Sequence, residues 1–113
     1  MQWRNKNAPH KFILNPQKIS NYLLNVNHPD GGSKAKLLIG FGFDLNHVSV
    51  LENTIINQAM FNDVSKVIPS TFGEKYLVEG NIKTPSGKFL QVRTVWVKEL
   101  KEETVKFITL YPI

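Results

Sequence analysis

The chain has 113 residues, a hydrophobic share of 42%, no cysteine and a net charge of +5. That length suffices for one domain with a buried core; disulfides and thiolate metal sites are excluded, and no apolar run approaches the ~20 residues of a membrane helix. The charge is uneven, because residues 1–40 carry six basic side chains against Asp30 alone, whereas residues 41–113 carry eight of each sign.

Residues 1–14 read as a polar arm, without the apolar stretch of a signal peptide, ending in the short run Phe12-Ile13-Leu14. Asn15-Pro16 supplies an N-cap and a first helical residue. Ile19, Tyr22 and Leu23 follow at helical spacing, which predicts a helix over 16–25. His28-Pro29-Asp30-Gly31-Gly32 breaks it. Ser33 then N-caps a second helix through Phe41, and Gly42 stops it. Ser49-x-x-Glu52 has the form of a capping box, with Asn46 a competing start. Val48, Leu51, Ile55 and Ala59 share one face, so a third helix is expected from about 47 to 66, ending before Pro69.

Beyond Pro69 the period changes to two. Tyr76, Val78 and Ile82 alternate with Lys75, Glu79 and Lys83. Thr84-Pro85-Ser86-Gly87 is a turn, Phe89 to Leu100 is rich in β-branched and aromatic residues, and Lys101-Glu102-Glu103 leads into a last strand from Val105 to Tyr111. The expectation is a single α+β domain over 1–113: an arm at 1–14, about three helices within 15–68, and an antiparallel sheet of three or more strands over 73–113 packed against them.

The densest chemistry lies in His28-Pro29-Asp30-Gly31-Gly32-Ser33-Lys34-Ala35-Lys36, inside the net-basic third. A basic third points to nucleic acid or an acidic partner, or else to a solvated surface. His28 is either a general acid or base or a turn histidine that holds a neighbouring carbonyl. Lys34 lies near a helix N-terminus, where backbone N–H groups favour anions. Lys36, two residues on, cannot share its face and is a substrate-binding or a solvated cation. Gly31 and Gly32 are expected to supply positive φ.

Arg93 lies mid-strand in an apolar run, where a charge needs a ligand or a partner. It clamps a phosphate or pairs with a carboxylate such as Glu79. Thr94, Thr109 and Tyr111 offer hydrogen bonds to a phosphate, and Tyr111 a stacking face for a base. Arg93 and Thr94 point to opposite sheet faces, while Thr109 and Tyr111 share one; the hairpin register decides which pair they join. Trp3 and Trp96 read as packing residues. No metal ligand set is present, since the histidines are far apart and no carboxylates cluster. Gly31-Gly32-Ser33-Lys34 lacks the spacing of a nucleoside-triphosphate loop.

These residues, in order over roughly 15–112, resemble a family of small bacterial domains of unknown function that occur alone and as C-terminal modules of polymorphic toxins. The resemblance is carried by Tyr22-Leu23-Leu24-Asn25 before His28-Pro29-x-Gly31-x-x-Lys34-Ala35-Lys36, then Gly73-x-x-Tyr76, Arg93-Thr94-x-Trp96 and Thr109-x-Tyr111. Lys36 stands where the family commonly has arginine, and Leu38 where it often has phenylalanine. Helices followed by an antiparallel sheet also resemble the barnase–EndoU–colicin–RelE-like ribonucleases, an architectural analogy.

The resemblance implies a toxin-like, metal-independent RNase without a cofactor, acting on tRNA or other RNA. In that scheme His28 moves the 2′-hydroxyl proton, Lys34 and Arg93 balance phosphate charge, and Thr109 and Tyr111 position the phosphate or a base, with Lys36 and Thr94 as further substrate contacts. An acidic immunity or antitoxin protein is the expected partner. The bacterial cytoplasm is the expected site of action, reached by secretion or by delivery as part of a larger toxin, with no membrane role. The alternative is a non-catalytic RNA- or protein-binding module of a toxin–immunity or toxin–antitoxin system.

Overall fold

Period-two alternation gives each long C-terminal strand one apolar face, and pairing the strands joins those faces into a platform for helices. The computed structural model describes residues 11–71 and 73–113. Five strands form one sheet in the order β1-β5-β4-β3-β2. They are β1 (Lys11–Ile13), β2 (Val64–Ser70), β3 (Gly73–Lys83), β4 (Phe89–Glu99) and β5 (Thr104–Pro112). β1 runs parallel to β5, and the other pairs are antiparallel. The helical layer comprises a π-helical turn (Ile19–Leu23), α1 (Gly32–Gly40), a 3₁₀ turn (Leu45–His47) and α2 (Val48–Met60). Ile19, Leu23, Leu38, Leu51 and Ile55 pack from this layer onto Val78, Val92, Trp96 and Leu110. Phe12 and Phe107 meet the Trp96 ring edge-on, at centroid distances of 5.3 and 5.4 Å.

The α+β class agrees with the sequence, and several elements do not. The third helix ends at Met60, not near 66, and Val64–Ser70 is a strand. Val64, Val67 and Ile68 favour that strand, and Pro69 is tolerated because β2 lies at the sheet edge. The apolar end of the arm is β1, whose parallel pairing with Thr104–Lys106 makes the sheet mixed. The first helix is replaced by the π-turn, in which Leu24 N–H donates to the Ile19 carbonyl five residues back at 2.8 Å. The Asn15 side chain still caps that segment, accepting from Gln17 N–H at 3.0 Å. α1 begins after Gly31, not Ser33, and Ser49 caps nothing: α2 follows a 3₁₀ turn capped by Asp44.

A buried polar chain holds α2 on the sheet. Gln58 donates through Nε2 to the Val78 carbonyl at 3.0 Å, and its Oε1 accepts from Thr94 Oγ1 at 2.8 Å. Trp96 Nε1 donates to Thr94 Oγ1 at 2.9 Å. The side-chain polar groups of Gln58, Thr94 and Trp96 are thus hydrogen-bonded, which offsets the cost of their burial.

One irregularity in β5 positions the site. Val95 pairs with Thr109 but Trp96 pairs with Phe107, so Ile108 is an extra residue in a β-bulge. Phe107 and Thr109 would share a face in a regular strand; the bulge turns Thr109 and Tyr111 to the face opposite Phe107.

Candidate functional site

β1 covers β5 only at Thr104–Lys106, and the chain from the π-turn to α1 reaches the uncovered part of that edge. Lys34 Nζ, on α1, donates to Tyr22 Oη at 2.7 Å and to Thr109 Oγ1 at 3.1 Å. The two hydroxyl oxygens are themselves 2.9 Å apart. The ammonium also lies 4.1 Å from the Tyr111 ring centroid and 5.2 Å from that of Tyr22, within cation–π range. Among the described residues no carboxylate pairs with it. The positive charge is therefore held by hydroxyls and ring faces.

Tyr22 is the residue most changed by this arrangement. Burial pushes its phenol up, but the hydrogen bonds with Lys34 and Thr109 and the charges of Lys34 and Lys18 outweigh it, leaving the phenol below its ordinary 10.0. The ring meets His28 edge-on at 4.9 Å between centroids. Gly31 also lies against this ring: a Cβ on Gly31 would stand 2.5 Å from Tyr22 Cε1. Gly31 has φ −110°, so close approach and not positive φ requires glycine here. Gly32 follows the same logic, since a Cβ there would lie 2.6 Å from the Val26 carbonyl oxygen. Neither is among the positive-φ glycines, which among the described residues are Gly42, Gly73 and Gly87.

Beside this group opens a cleft of about 420 Å³, lined by Lys18, Tyr22, His28, Asp30, Thr109 and Tyr111 with the bulged Ile108. Lys18 Nζ donates to the Ile108 carbonyl at 3.3 Å, so the bulge also fixes the cation at the wall. Lys34 stands behind the wall and acts on the cleft through Tyr22 and Thr109. Asp30 is the one carboxylate among the lining residues. Lys18 at the wall, Lys34 behind it, a phenol held below its ordinary value and an imidazole suit a small anion and proton transfer beside it.

His28 sits in the cleft in a defined state. Its Nδ1 accepts from the backbone N–H groups of Asp30 and Gly31, both at 3.0 Å. The neutral ring therefore carries its proton on Nε2, which makes the open nitrogen a hydrogen-bond donor and not a proton acceptor. This is the turn-histidine geometry, with backbone donors where a carbonyl was the expected partner.

The register brings Arg93 to the same face as Tyr111, directly across from it, and places Val95 across from Thr109. Arg93 turns to its other neighbour, with Nη2 3.4 Å from Glu79 Oε1. Its Nε is buried without a hydrogen-bond partner, alone in this among the described side chains. Thr94 lies on the core face, 0% exposed and committed to Gln58 and Trp96, so it is not open to substrate. Lys36 is exposed and outside the cleft. Thus Lys34, Thr109, Tyr111 and His28 are gathered, Arg93 is adjacent, and Thr94 and Lys36 are elsewhere.

Tyr22 and Lys18 were not among the sequence candidates. Tyr22 reads as part of an apolar helical stripe, and its hydroxyl acquires a role only through Thr109, 87 residues away. Trp3, Arg4 and Lys6 lie outside the described residues. Among the described residues no group of three or more His, Asp or Glu side chains is arranged to hold a metal ion.

A comparison with curated proteins finds no match. Among solved structures the chain is similar to one from Klebsiella pneumoniae 342 described as a contact-dependent growth inhibition toxin–immunity protein complex. The TM-score is 0.70 at 18% identity, covering 89% of this chain and 99% of that one. At that identity the likeness is one of fold. A family model matches residues 5–113, nearly the whole sequence, and the chain accordingly belongs to DUF6883, a domain of unknown function.

Proposed function

We propose that this chain is a toxin-like domain that cleaves RNA without a metal ion, at the cleft beside Tyr22. The observation that carries the reading is a half-buried ammonium, Lys34, with no carboxylate partner among the described residues, bonded to a phenol that it holds below its ordinary value. Such a pair is a base held next to positive charge, which is what removal of a 2′-hydroxyl proton beside a phosphate requires. The toxin–immunity description of the structural neighbour supports the biological setting.

In this mechanism the phosphodiester lies against Lys18, and Tyr22 as phenolate takes the proton of the adjacent 2′-hydroxyl. The 2′-oxygen attacks phosphorus, the bond to the 5′-oxygen breaks, and that oxygen takes a proton from water. The products are a 2′,3′-cyclic phosphate and a 5′-hydroxyl. Tyr22 then returns its proton to solvent. Lys34 stabilises the phenolate and contributes positive charge as the phosphorane forms, Thr109 orients the phenol, and Nε2–H of His28 donates to a phosphate oxygen. Tyr111 offers its exposed ring to a base. Proton transfer thereby moves from His28, the sequence candidate, to Tyr22.

Incubation of the purified chain with total tRNA in EDTA tests this. The wild type should yield fragments ending in 2′,3′-cyclic phosphate, and Tyr22→Phe should slow cleavage about 10²–10⁴-fold. An RNA pool left intact by the wild type overturns it.

A second reading, a non-catalytic module that binds an acidic immunity or antitoxin protein, draws on two observations. The neighbour's description names two proteins in complex, and the hydrogen bonds of Lys34 are made within the chain. Growth arrest on expression of the wild type but not of Tyr22→Phe favours catalysis; arrest by both favours binding.

A further inference from the structure

A second cleft, of about 440 Å³, opens between the end of α2 and the β3–β4 hairpin. It exists because β2 pairs with β3 only over Gly73–Val78, leaving the last five residues of β3 uncovered on that edge. Phe61 and Phe89 both line it and are 66% and 67% exposed, two large aromatic side chains at one opening. The exposed amides of Asn57 and Asn81 and the exposed Lys83 stand with them, and no Asp or Glu is among the lining residues. The floor is fixed. Asn62 Nδ2 donates to the Gln58 carbonyl at 2.7 Å, and its amide fills the space above Gly80, where a Cβ would lie 2.6 Å from Asn62 Cγ.

We infer that this cleft holds one unpaired nucleotide of an RNA, its base against Phe61 and Phe89 and its edge read by Asn57 and Asn81. Base stacking on aromatic rings tolerates any base. Carboxamides offer a donor and an acceptor together, which is what a base edge presents. Lys83 supplies charge for the attached phosphate, and the lack of lining carboxylates leaves an anion unopposed. A peptide strand added to the open β3 edge would use the same backbone but has no need of the cation.

One residue at the rim of the second cleft, Phe89, shares a sheet face with Tyr111 of the first. Phe89, Gln91 and Arg93 alternate onto the same side of β4, and Arg93 stands directly across from Tyr111. Phe89 and Arg93 are about 13 Å apart along the strand, a distance that about four stacked nucleotides cover at ~3.4 Å each. At the Arg93 end of that span the buried Nε has no hydrogen-bond partner among the described residues. Aromatic and cationic groups thus alternate from Phe89 through Arg93 to Tyr111 and Lys34. The inference rests on the RNA-cleaving reading and extends it: the nucleotide lies a few positions from the scissile phosphate.

The test uses a short single-stranded RNA bearing 2′-O-methyl groups, which binds but cannot be cleaved, with side-chain amide NMR as the readout and a parallel tRNA cleavage assay. The expected result is displacement of the Asn57 and Asn81 side-chain signals, and roughly tenfold or greater loss of affinity in Phe61→Ala and in Phe89→Ala. Both rings are exposed, so neither variant perturbs the core. If the wild type cleaves tRNA while these amides stay in place and both variants bind normally, the inference fails and the catalytic reading stands. If the oligonucleotide moves the cleft amides but tRNA stays intact, the nucleotide site stands and the catalytic reading fails. Retention of RNA affinity with loss of binding to a protein partner overturns the nucleotide site in favour of a protein interface.

Discussion

Tyr22 lies between opposing influences. Burial resists the phenolate, whereas Lys34, Thr109 and Lys18 favour it and prevail. For Tyr76 the direction is the opposite: burial and the Glu74 carboxylate, bonded to its hydroxyl at 3.0 Å, push its phenol up to about 12. An ultraviolet titration of tyrosinate should therefore show one phenol ionising below 10 and another near 12, with Lys34→Met moving the first upward; identical titration of the two would contradict the geometry. The signs for stability follow. Between the folded value of Tyr22 and 10 the unfolded chain binds more protons, so this residue adds stability as pH rises. Between 10 and about 12 the folded chain keeps the Tyr76 proton that the unfolded chain has lost, so that residue withdraws stability. Gly31→Ala should cost about 1–3 kcal/mol in a urea melt by forcing the Tyr22 ring aside. Much of this was open to a reader of the sequence, since His28, Lys34, Thr109 and Tyr111 are chemically conspicuous. Tyr22 was not, because a tyrosine at helical spacing looks like core until its distant hydroxyl partner is known.

At the level of elements, amphipathic alternation over β3, β4 and β5 is strong enough to be read without coordinates, and so is the segregation of helices from strands. What escapes is whatever depends on a partner far along the chain. Val64–Ser70 extends an apolar pattern that a helix can also use, and its strand state follows from pairing with β3. β1 has three residues and its partner lies at Thr104–Lys106, so nothing local marks it. The Ile108 bulge is equally silent, yet it puts Thr109 and Tyr111 on the Arg93 face. Thr94 shows the converse, a residue with the right chemistry turned inward by alternation. Thr94→Val removes an acceptor from Trp96 and a donor from Gln58, and should cost about 1–3 kcal/mol in a urea melt while leaving RNA cleavage unchanged. Loss of cleavage in a folded Thr94→Val chain would mean that the two sheet faces are not independent.

For the whole molecule, the +5 charge does not by itself define a site, because the lysines of the net-basic residues 1–40 do not all line the cleft. Lys18 is part of the cleft wall and Lys36 is not. Salt titration of binding to single-stranded RNA should separate them: Lys18→Ala should lower the slope of log K against log salt by about 0.7, the contribution of one phosphate contact, and Lys36→Ala should leave it unchanged. Equal effects would point to a diffuse basic surface. The contact between Lys34 and Thr109 has a temporal meaning as well. It spans 75 residues, and none of the intervening helices can supply a substitute for β5. Contacts of such separation carry a large loop-closure entropy and tend to form late. During refolding, helical signal and hairpin pairing can precede the moment when the phenol of Tyr22 acquires its altered acidity. A chain with most of its secondary structure in place would then still be inert, and the cleft would come into being only as the last strand docks.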